Sequence, residues 1–381
     1  MSVIGIPKET APGETRVAMV PGHLAMLVRD KHTVLVEKGA GEGASFSDEA
    51  YTKAGATIVD GSAGIYAKAE VIFKVQPPRE MVGGKLEADL IREKGMYIGF
   101  FPPLTEKKVV DSFLRRKITS FSMEYVPRIT RAQSMDALSS MATVAGYKAV
   151  LIATEHLGKM FPLLMTAAGT VPPANVMVLG AGVAGLQAIA TAKRLGARVE
   201  AYDVRAAVKE QVKSLGAGFI EVPFEEAAEA AGGYAKEQSA EFIRKQREVL
   251  GEHLSKTHVL ITTAQVFGKK APVVFTGEMI AQMPRGAVIV DLAAEQGGNC
   301  ELTEAGKVVE KDGVTVVGAV NLPATIPTDA SMLYAKNLLN LFKHLYPKAD
   351  ATPDYEDEVT KGACITRDGR VVHEAVRNSL Q

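Results

Sequence analysis

The sequence predicts an α/β protein made of two doubly wound parallel-sheet domains with a cleft between them. Three observations carry that prediction. Short apolar, β-rich runs alternate with helical patterns over residues 1–126, a second such series begins near 175, and a strand, a glycine-rich turn and a helix follow one another at 175–195. Apolar strands alternating with helices suit a parallel sheet, because its crossovers return over both faces and bury every strand.

In the first series the runs fall at 2–6 (SVIGI), 33–37 (TVLVE), 71–75 (VIFKV), 96–100 (MYIGF) and 118–123 (ITSFSM), separated by helical patterns such as PGHLAMLVRD and EKKVVDSFLRR. The second series has NVMVLG at 175–180, a helix over about 183–195, RVEAYDV at 198–204, a helix near 206–215, GFIEV at 218–222, HVLITTA at 258–264, AVIVDLA at 287–293 and VTVVGAV at 314–320. KVVEKDGVTVV reads as a hairpin, because Asp312-Gly313 is a dipeptide that favours two-residue turns. Helices are expected over 139–158 and 328–346, the latter with Thr328 or Asp329 as N-cap. If these helices run between the units, the C-terminal tail rejoins the first. The expected domains are then residues 1–126 plus 347–381, a discontinuous N-terminal domain, and residues 139–327. Segments 127–138 and 328–346 are the connections, and the cleft lies near 128–140.

Composition narrows the function. The chain has 381 residues, 47% apolar and 23% charged, with a net charge of zero. No basic run stands out, which argues against nucleic acid. Two cysteines, Cys300 and Cys364, make no disulfide framework and suit a reducing compartment. The histidines are scattered, so no metal is expected. Residues 161–192 are uncharged and longer than a bilayer crossing requires, but Pro172-Pro173 and four glycines divide them into a loop, a strand and the start of a helix. No secretory signal opens the chain, and no direct membrane span is expected.

The most specific motif is GAGVAG at 180–185, a G-x-G-x-x-G pattern. Alone the pattern is weak. Here a strand precedes it, a helix follows, and Asp203 ends the next strand at the expected distance, the context of a Rossmann-like dinucleotide site. Gly180 permits the tight turn, Gly182 lets the backbone approach a pyrophosphate, and Gly185 allows close helix–strand packing. A carboxylate at 203 accepts ribose hydroxyls and repels a 2′-phosphate, which favours NAD(H). Arg205 is the counter-evidence, since an arginine holds such a phosphate; its plain reading is a helix-opening residue facing solvent or the pyrophosphate. A segment at 224–250 contains EAAGGYAKEQ, read either as a surface helical hairpin turning at Gly232-Gly233 or as a lid in which Tyr234 closes over nucleotide.

The stretch RITRAQSMDALSS at 128–140 fits neither periodicity. Its polar side chains suit ligand contact at a cleft, or a linker that caps the following helix.

Together, IGIPKE with PGETRVAMVP, VMVLGAGVAGLQAIATAKRLGARVEAYDVR and VIVDLAAEQGGNC resemble the family that unites alanine dehydrogenases with the NAD(H)-binding component of proton-translocating nicotinamide nucleotide transhydrogenases. The resemblance runs from about residue 2 to 346 and extends weakly beyond. VPRITRAQSMDALSSMATVAGYKAV and AGGYAKE are similar to the transhydrogenase branch. The resemblance implies that Arg128, Gln133, Asp136 and Ser139 hold the nicotinamide end of NAD(H). Their charges also allow an Arg128–Asp136 ion pair whose rearrangement would move the ring between a resting and a reactive position. It implies a cofactor set of Gly180, Gly182, Val183, Gly185, Asp203, Val204, Arg205, Gly233, Tyr234, Gln246 and Gln265. It also implies NADP(H) on a partner subunit, a membrane-spanning partner, a homodimer, and a place on the cytoplasmic, inner face of a bacterial membrane through those partners.

The alternatives are an alanine dehydrogenase-like enzyme and a non-catalytic NAD(H) sensor. Interconverting amine and ketone requires an acid/base group. Where the dehydrogenase branch has a histidine, this chain reads GFFPPLT, and the VDLA loop carries Glu295 in place of an aspartate. Arg16 and Lys74 match the positions that hold pyruvate there, and their other reading is as structural ion-pair partners. Hydride transfer between two nicotinamides needs no proton at the rings, only proximity, alignment and exclusion of water.

Overall fold

The computed structural model describes residues 2–81, 83–223, 239–266, 269–348 and 351–380. The chain divides into two compact units, Met1–Met141 with Pro323–Gln381, and Ala142–Leu322. Both segments expected as connections, 127–138 and 328–346, fall inside the first unit.

The first unit begins with β1 (Val3–Ile6), β2 (Thr33–Glu37), β3 (Thr57–Val59), β4 (Val71–Phe73), β5 (Met96–Gly99) and β6 (Thr119–Ser122). They pair in parallel in the order β3-β2-β1-β4-β5-β6. This is the doubly wound order, with its reversal at β1. Helices α1 (Pro21–Arg29), α2 (Asp48–Lys53), α3 (Ser62–Lys68) and α4 (Lys107–Arg115) make four of the five crossovers, and the β4–β5 connection carries a 3-10 turn, Glu87–Asp89. The strands are apolar because both faces are covered: Ile72, Tyr97 and Ile98 are fully buried, and Phe113 of α4 packs into the same core.

Helix α5 (Ala137–His156) leads into the second unit. It is long and apolar enough to cross a membrane by length and composition alone, whereas the uncharged run in the sequence lies later, at 161–192. Its Ala149, Val150 and Ala153 are core residues of the second unit. The expected loop after 161 contains a two-stranded hairpin, β7 (Leu164–Thr166) with β8 (Gly169–Val171). Met165 on it is 80% exposed.

The second sheet follows with β9 (Asn175–Leu179), α6 (Val183–Arg194), β10 (Arg198–Tyr202), α7 (Lys209–Ser214), β11 (Gly218–Phe219), α8 (Ala240–Leu254), β12 (Val259–Thr262), α9 (Gly277–Ile280), β13 (Val288–Asp291), β14 (Val308–Lys311) and β15 (Val314–Gly318). The order is β11-β10-β9-β12-β13-β15-β14, all parallel except β14. The β14–β15 turn has positive φ at both Asp312 (54°) and Gly313 (78°), the geometry that a two-residue hairpin of this type demands.

Helix α10 (Pro327–Leu345) returns to the first unit. Its N-cap is Ile326 with Pro327 in the first turn, and neither Thr328 nor Asp329 caps it. Proline's fixed φ suits that position, and its missing N–H costs nothing there. Beyond α11 (Glu358–Ala363), β16 (Cys364–Arg367) pairs antiparallel with β6, β17 (Arg370–Val371) pairs with β16, and α12 (Glu374–Leu380) ends the chain.

Candidate functional site

The turn after β9 sits where the second sheet reverses, between β10 and β12. Ligands of doubly wound sheets bind at such points. Gly180 has φ 89°, a conformation that strains other residues. Thr263 backs the turn, its Oγ1 donating to the Leu179 and Gly180 carbonyls at 3.1 and 3.2 Å. A Cβ at Gly185 would collide with the Gly180 carbonyl, and one at Gly182 would meet open space. Gly182 is the N-cap of α6 and no side chain caps that end. Among the described residues no side-chain hydrogen bond caps the first-turn N–H groups, which is what an anion-binding helix end offers.

Asp203 is 9% exposed. Its Oδ2 accepts from Ala181 N at 2.7 Å and Arg205 NH2 at 2.9 Å, and its Oδ1 accepts from Arg205 N and Nε at 2.9 and 3.0 Å. Burial pushes the carboxyl upward, but the Arg205 guanidinium and the two backbone N–H groups outweigh it and hold Asp203 below the usual carboxylate range. Arg205 is thus turned onto Asp203, a clasp that neither expected role includes, while its position as N-cap of the 3-10 turn Ala206–Val208 agrees with the helix-opening reading. The Ala181 N–H was also missed, since backbone donors leave no signature in side-chain identity.

The remaining residues of the set divide. Val183 is exposed at the start of α6, and Val204 packs beside Tyr202 on the second core. Gln265 is exposed, with its amide donating to Leu292 O at 2.9 Å. Gln246 is buried on α8, its amide donating to the Tyr202 hydroxyl at 3.1 Å, so it supports the sheet. Gly233 and Tyr234 lie outside the described residues, as does the lid or hairpin turn expected around them. Asn299 holds the end of β12: its Oδ1 accepts from Ala264 N at 3.0 Å and its Nδ2 donates to Ala264 O at 2.8 Å.

In the first unit, residues 128–140 hold a 3-10 stretch, Thr130–Met135, leading into α5. Asp136 caps that helix, with Oδ1 accepting from Ser139 N at 2.9 Å and Oδ2 from Ser139 Oγ at 2.6 Å. Asp136 and Ser139 are therefore brought together, and the expectation that polar groups here cap the helix holds for this pair. Arg128 and Gln133 are exposed.

The first sheet has its own reversal point, at the carboxyl ends of β1 and β4, and charged residues fill it. Lys74 Nζ lies 3.1 Å from Glu87 Oε2 and 3.3 Å from Glu9 Oε2, held by charge more than by hydrogen-bond alignment. Glu9 also accepts from Val75 N at 2.6 Å. Arg16 grips Glu14 through Nε at 2.7 Å and NH2 at 2.6 Å, and Gln76 Nε2 donates to the same carboxylate at 2.7 Å. Burial acts to raise Glu14, but Arg16 and Gln76 overcome it and bring its pKa down to about 2. Arg16 and Lys74 thus sit in ion pairs, as their structural reading expects. Among the described residues no group of His, Cys, Asp and Glu is arranged to hold a metal.

Known proteins correspond to this arrangement along its length. Family models for the N-terminal and C-terminal domains of alanine dehydrogenase/PNT match residues 5–145 and 149–374. A Rhodospirillum rubrum protein, named as the first part of NAD(P) transhydrogenase subunit alpha, is 52% identical, covering 98% of each chain. A solved transhydrogenase from Sinorhizobium meliloti is 43% identical, with a TM-score of 0.87 over 97% of this chain and 99% of that one. The alanine dehydrogenase of Mycolicibacterium smegmatis is 28% identical over 99% of this chain and 96% of its own. Two doubly wound sheets, a glycine turn with its carboxylate, and matches over both halves lead to one conclusion: the chain belongs to the alanine dehydrogenase/PNT family.

Proposed function

We propose that this chain is the NAD(H)-binding component of a proton-translocating NAD(P) transhydrogenase, passing hydride between its own NAD(H) and NADP(H) carried by a partner subunit. The observation that carries the reading is the end-to-end match, at 52% identity, to the Rhodospirillum rubrum transhydrogenase alpha chain. Two alanine dehydrogenases match the same length at 28% and 27%.

The residues fit the cofactor. The open approach at Gly182, the uncapped end of α6 and the carboxylate of Asp203 suit a pyrophosphate and an adenosine ribose. Bound NADH supplies the hydride at its nicotinamide ring. The chain's role is to orient that ring: Gln133 offers an exposed amide, and Asp136 with Ser139 forms a hydrogen-bonded polar pair. No proton changes place at these residues, so what they contribute is alignment.

The ionic cluster of the first unit supports this reading over the dehydrogenase one. Binding a 2-oxo acid there requires cations that can turn to its carboxylate. Arg16 is clasped by Glu14, and Lys74 lies between Glu9 and Glu87. A small acid would have to displace these carboxylates, and a buried charge left without its partner costs about 3–5 kcal/mol. The membrane-spanning and NADP(H)-binding parts belong to partners, with this chain at the cytoplasmic face and a second copy beside it.

The deciding experiment is single-turnover hydride transfer from NADH to NADP⁺, with and without the NADP(H)-binding partner, beside an assay with alanine and NAD⁺. Transfer is expected only with the partner, and no NADH should form from alanine. NADH formation from alanine at an enzymatic rate would overturn the reading. Binding of NADH without transfer in either mixture would leave only a sensor.

A further inference from the structure

Residues 128–140 are held from behind by side chains that the reading above does not use. Asn337 and Asn340, one turn apart on α10, both donate through Nδ2 to the Ser134 carbonyl, at 3.0 and 2.9 Å. Arg131 donates to Asp357 Oδ2 at 2.6 Å. The other oxygen of Asp357 accepts from Val359 N and Thr360 N at the head of α11, at 2.9 and 3.1 Å, and lies 2.8 Å from His344 Nε2 on α10. Two carbonyl lone pairs and one arginine of a six-residue stretch are thus tied to two helices of the same unit.

Asn337 is the informative member. It is 6% exposed on a face that otherwise buries Tyr334, Leu338 and Leu341. A leucine there would bury apolar surface at no polar cost, whereas a buried amide without a full set of partners is destabilising. Its Oδ1 has no partner among the described residues. Its donor group goes to Ser134. The helix therefore gives up stability at this position and obtains a fixed carbonyl in the loop. A 3-10 turn needs such support, because its own hydrogen bonds are poorly aligned and short runs of it are easily deformed.

We infer that Asn337, Asn340 and Asp357 are positioning residues for the nicotinamide loop: they fix the backbone on either side of Gln133, so that its amide and the Asp136–Ser139 pair are presented in one geometry. The inference rests on the reading of residues 128–140 as the nicotinamide contact. None of the three touches the reacting atoms. Their effect passes through the carbonyl of Ser134 and the side chain of Arg131, one residue after Gln133 and two before it. Hydride transfer is sensitive to such displacement, since a misplacement of about 1 Å can lower a rate on the order of 10²-fold. Binding is far less sensitive, because the adenosine and pyrophosphate contacts lie elsewhere in the chain.

The test uses the full chain in the assembled complex with its NADP(H)-binding partner. Asn337→Leu and Asn340→Leu remove each donor while keeping side-chain volume, and Asp357→Asn keeps the shape of the α11 cap. Three quantities are read for each: the single-turnover rate from NADH to NADP⁺, the NADH dissociation constant and the thermal midpoint. We expect the rate to fall about tenfold, NADH affinity to change less than about twofold, and little further loss when each change is combined with Gln133→Asn. Asn340→Leu, on the more exposed donor, keeps the test available if Asn337→Leu does not fold. A lower midpoint with an unchanged rate per folded molecule would make these residues structural and overturn the inference. So would losses that multiply with that of Gln133→Asn, as for independent sites. If Gln133→Asn alone leaves transfer unchanged, the reading of the loop fails and this inference with it. If Gln133→Asn slows transfer and the helix variants do not, only this inference fails.

Discussion

The carboxylate of Asp203 accepts bonds from Ala181 N and from three nitrogens of Arg205. Its charge is directed inward, and Arg205 is kept from presenting a free guanidinium to a 2′-phosphate. Asp203→Asn should therefore act twice. It removes a repulsive charge and loosens the arginine, so the preference for NADH over NADPH should shrink by about tenfold or more, the equivalent of 1.4 kcal/mol. Parallel titrations with the two nucleotides measure it, and an unchanged ratio would remove Asp203 from the argument. Glu14 makes a different prediction. Its folded pKa of about 2 lies below the ordinary 4.5, so its ionised form is favoured in the fold. That contribution is complete above pH 4.5 and is lost as the pH falls through about 2. The shift corresponds to about 3 kcal/mol. Glu14→Gln should be less stable than the parent at pH 7, and the gap should narrow below pH 4.5, as followed by urea denaturation. A gap that stays constant from pH 7 to pH 3 would contradict the assignment to Glu14.

Helices α5 and α6 approach so closely that a Cβ at Gly146 would collide with the carbonyl of Ala184, in the first turn of α6. Gly146→Ala should displace the first turn of α6, and with it the glycine turn at Gly180–Gly182. Overpacking of this kind costs about 1–3 kcal/mol, and NADH affinity should fall by roughly tenfold while the first unit stays intact. Unaltered affinity would mean that the two helices separate without moving the turn. Much of this element level is legible in the sequence. The apolar runs mark eleven of the strands because burial on both faces leaves few polar positions, and Asp312-Gly313 marks its turn because two positive φ angles favour it. What escaped detection was short or distant. β3 is three residues long, and β7 and β8 are exposed and follow no apolar pattern. Pairs such as Glu9 with Lys74, or Ser134 with Asn337, join residues far apart in sequence, and no periodicity records them. The site residues divide in the same way. The glycine turn follows from spacing, whereas the burial of Gln246 and the clasp of Arg205 depend on tertiary neighbours.

At the scale of the molecule, the first sheet is closed by the last segment of the chain. β16 covers the edge of β6, and Thr366 shares a buried hydrogen bond with Ser120 Oγ at 2.7 Å. Deleting residues 351–381 would expose that edge and remove Asp357 from Arg131. We expect the deletion to make the first unit sensitive to protease while fragments of the second unit persist, and equal loss of both would contradict this expectation. The same closure bears on synthesis. Ser120 and Thr366 are 246 positions apart, so at about 5–20 residues per second the partner of β6 leaves the ribosome roughly 10–50 seconds after β6 does. The intervening unit, Ala142–Leu322, has all its strands by then and can finish first. The half of the chain made first is thus the half completed last, and its open strand edge is the surface that a nascent-chain chaperone would have to shield during that interval.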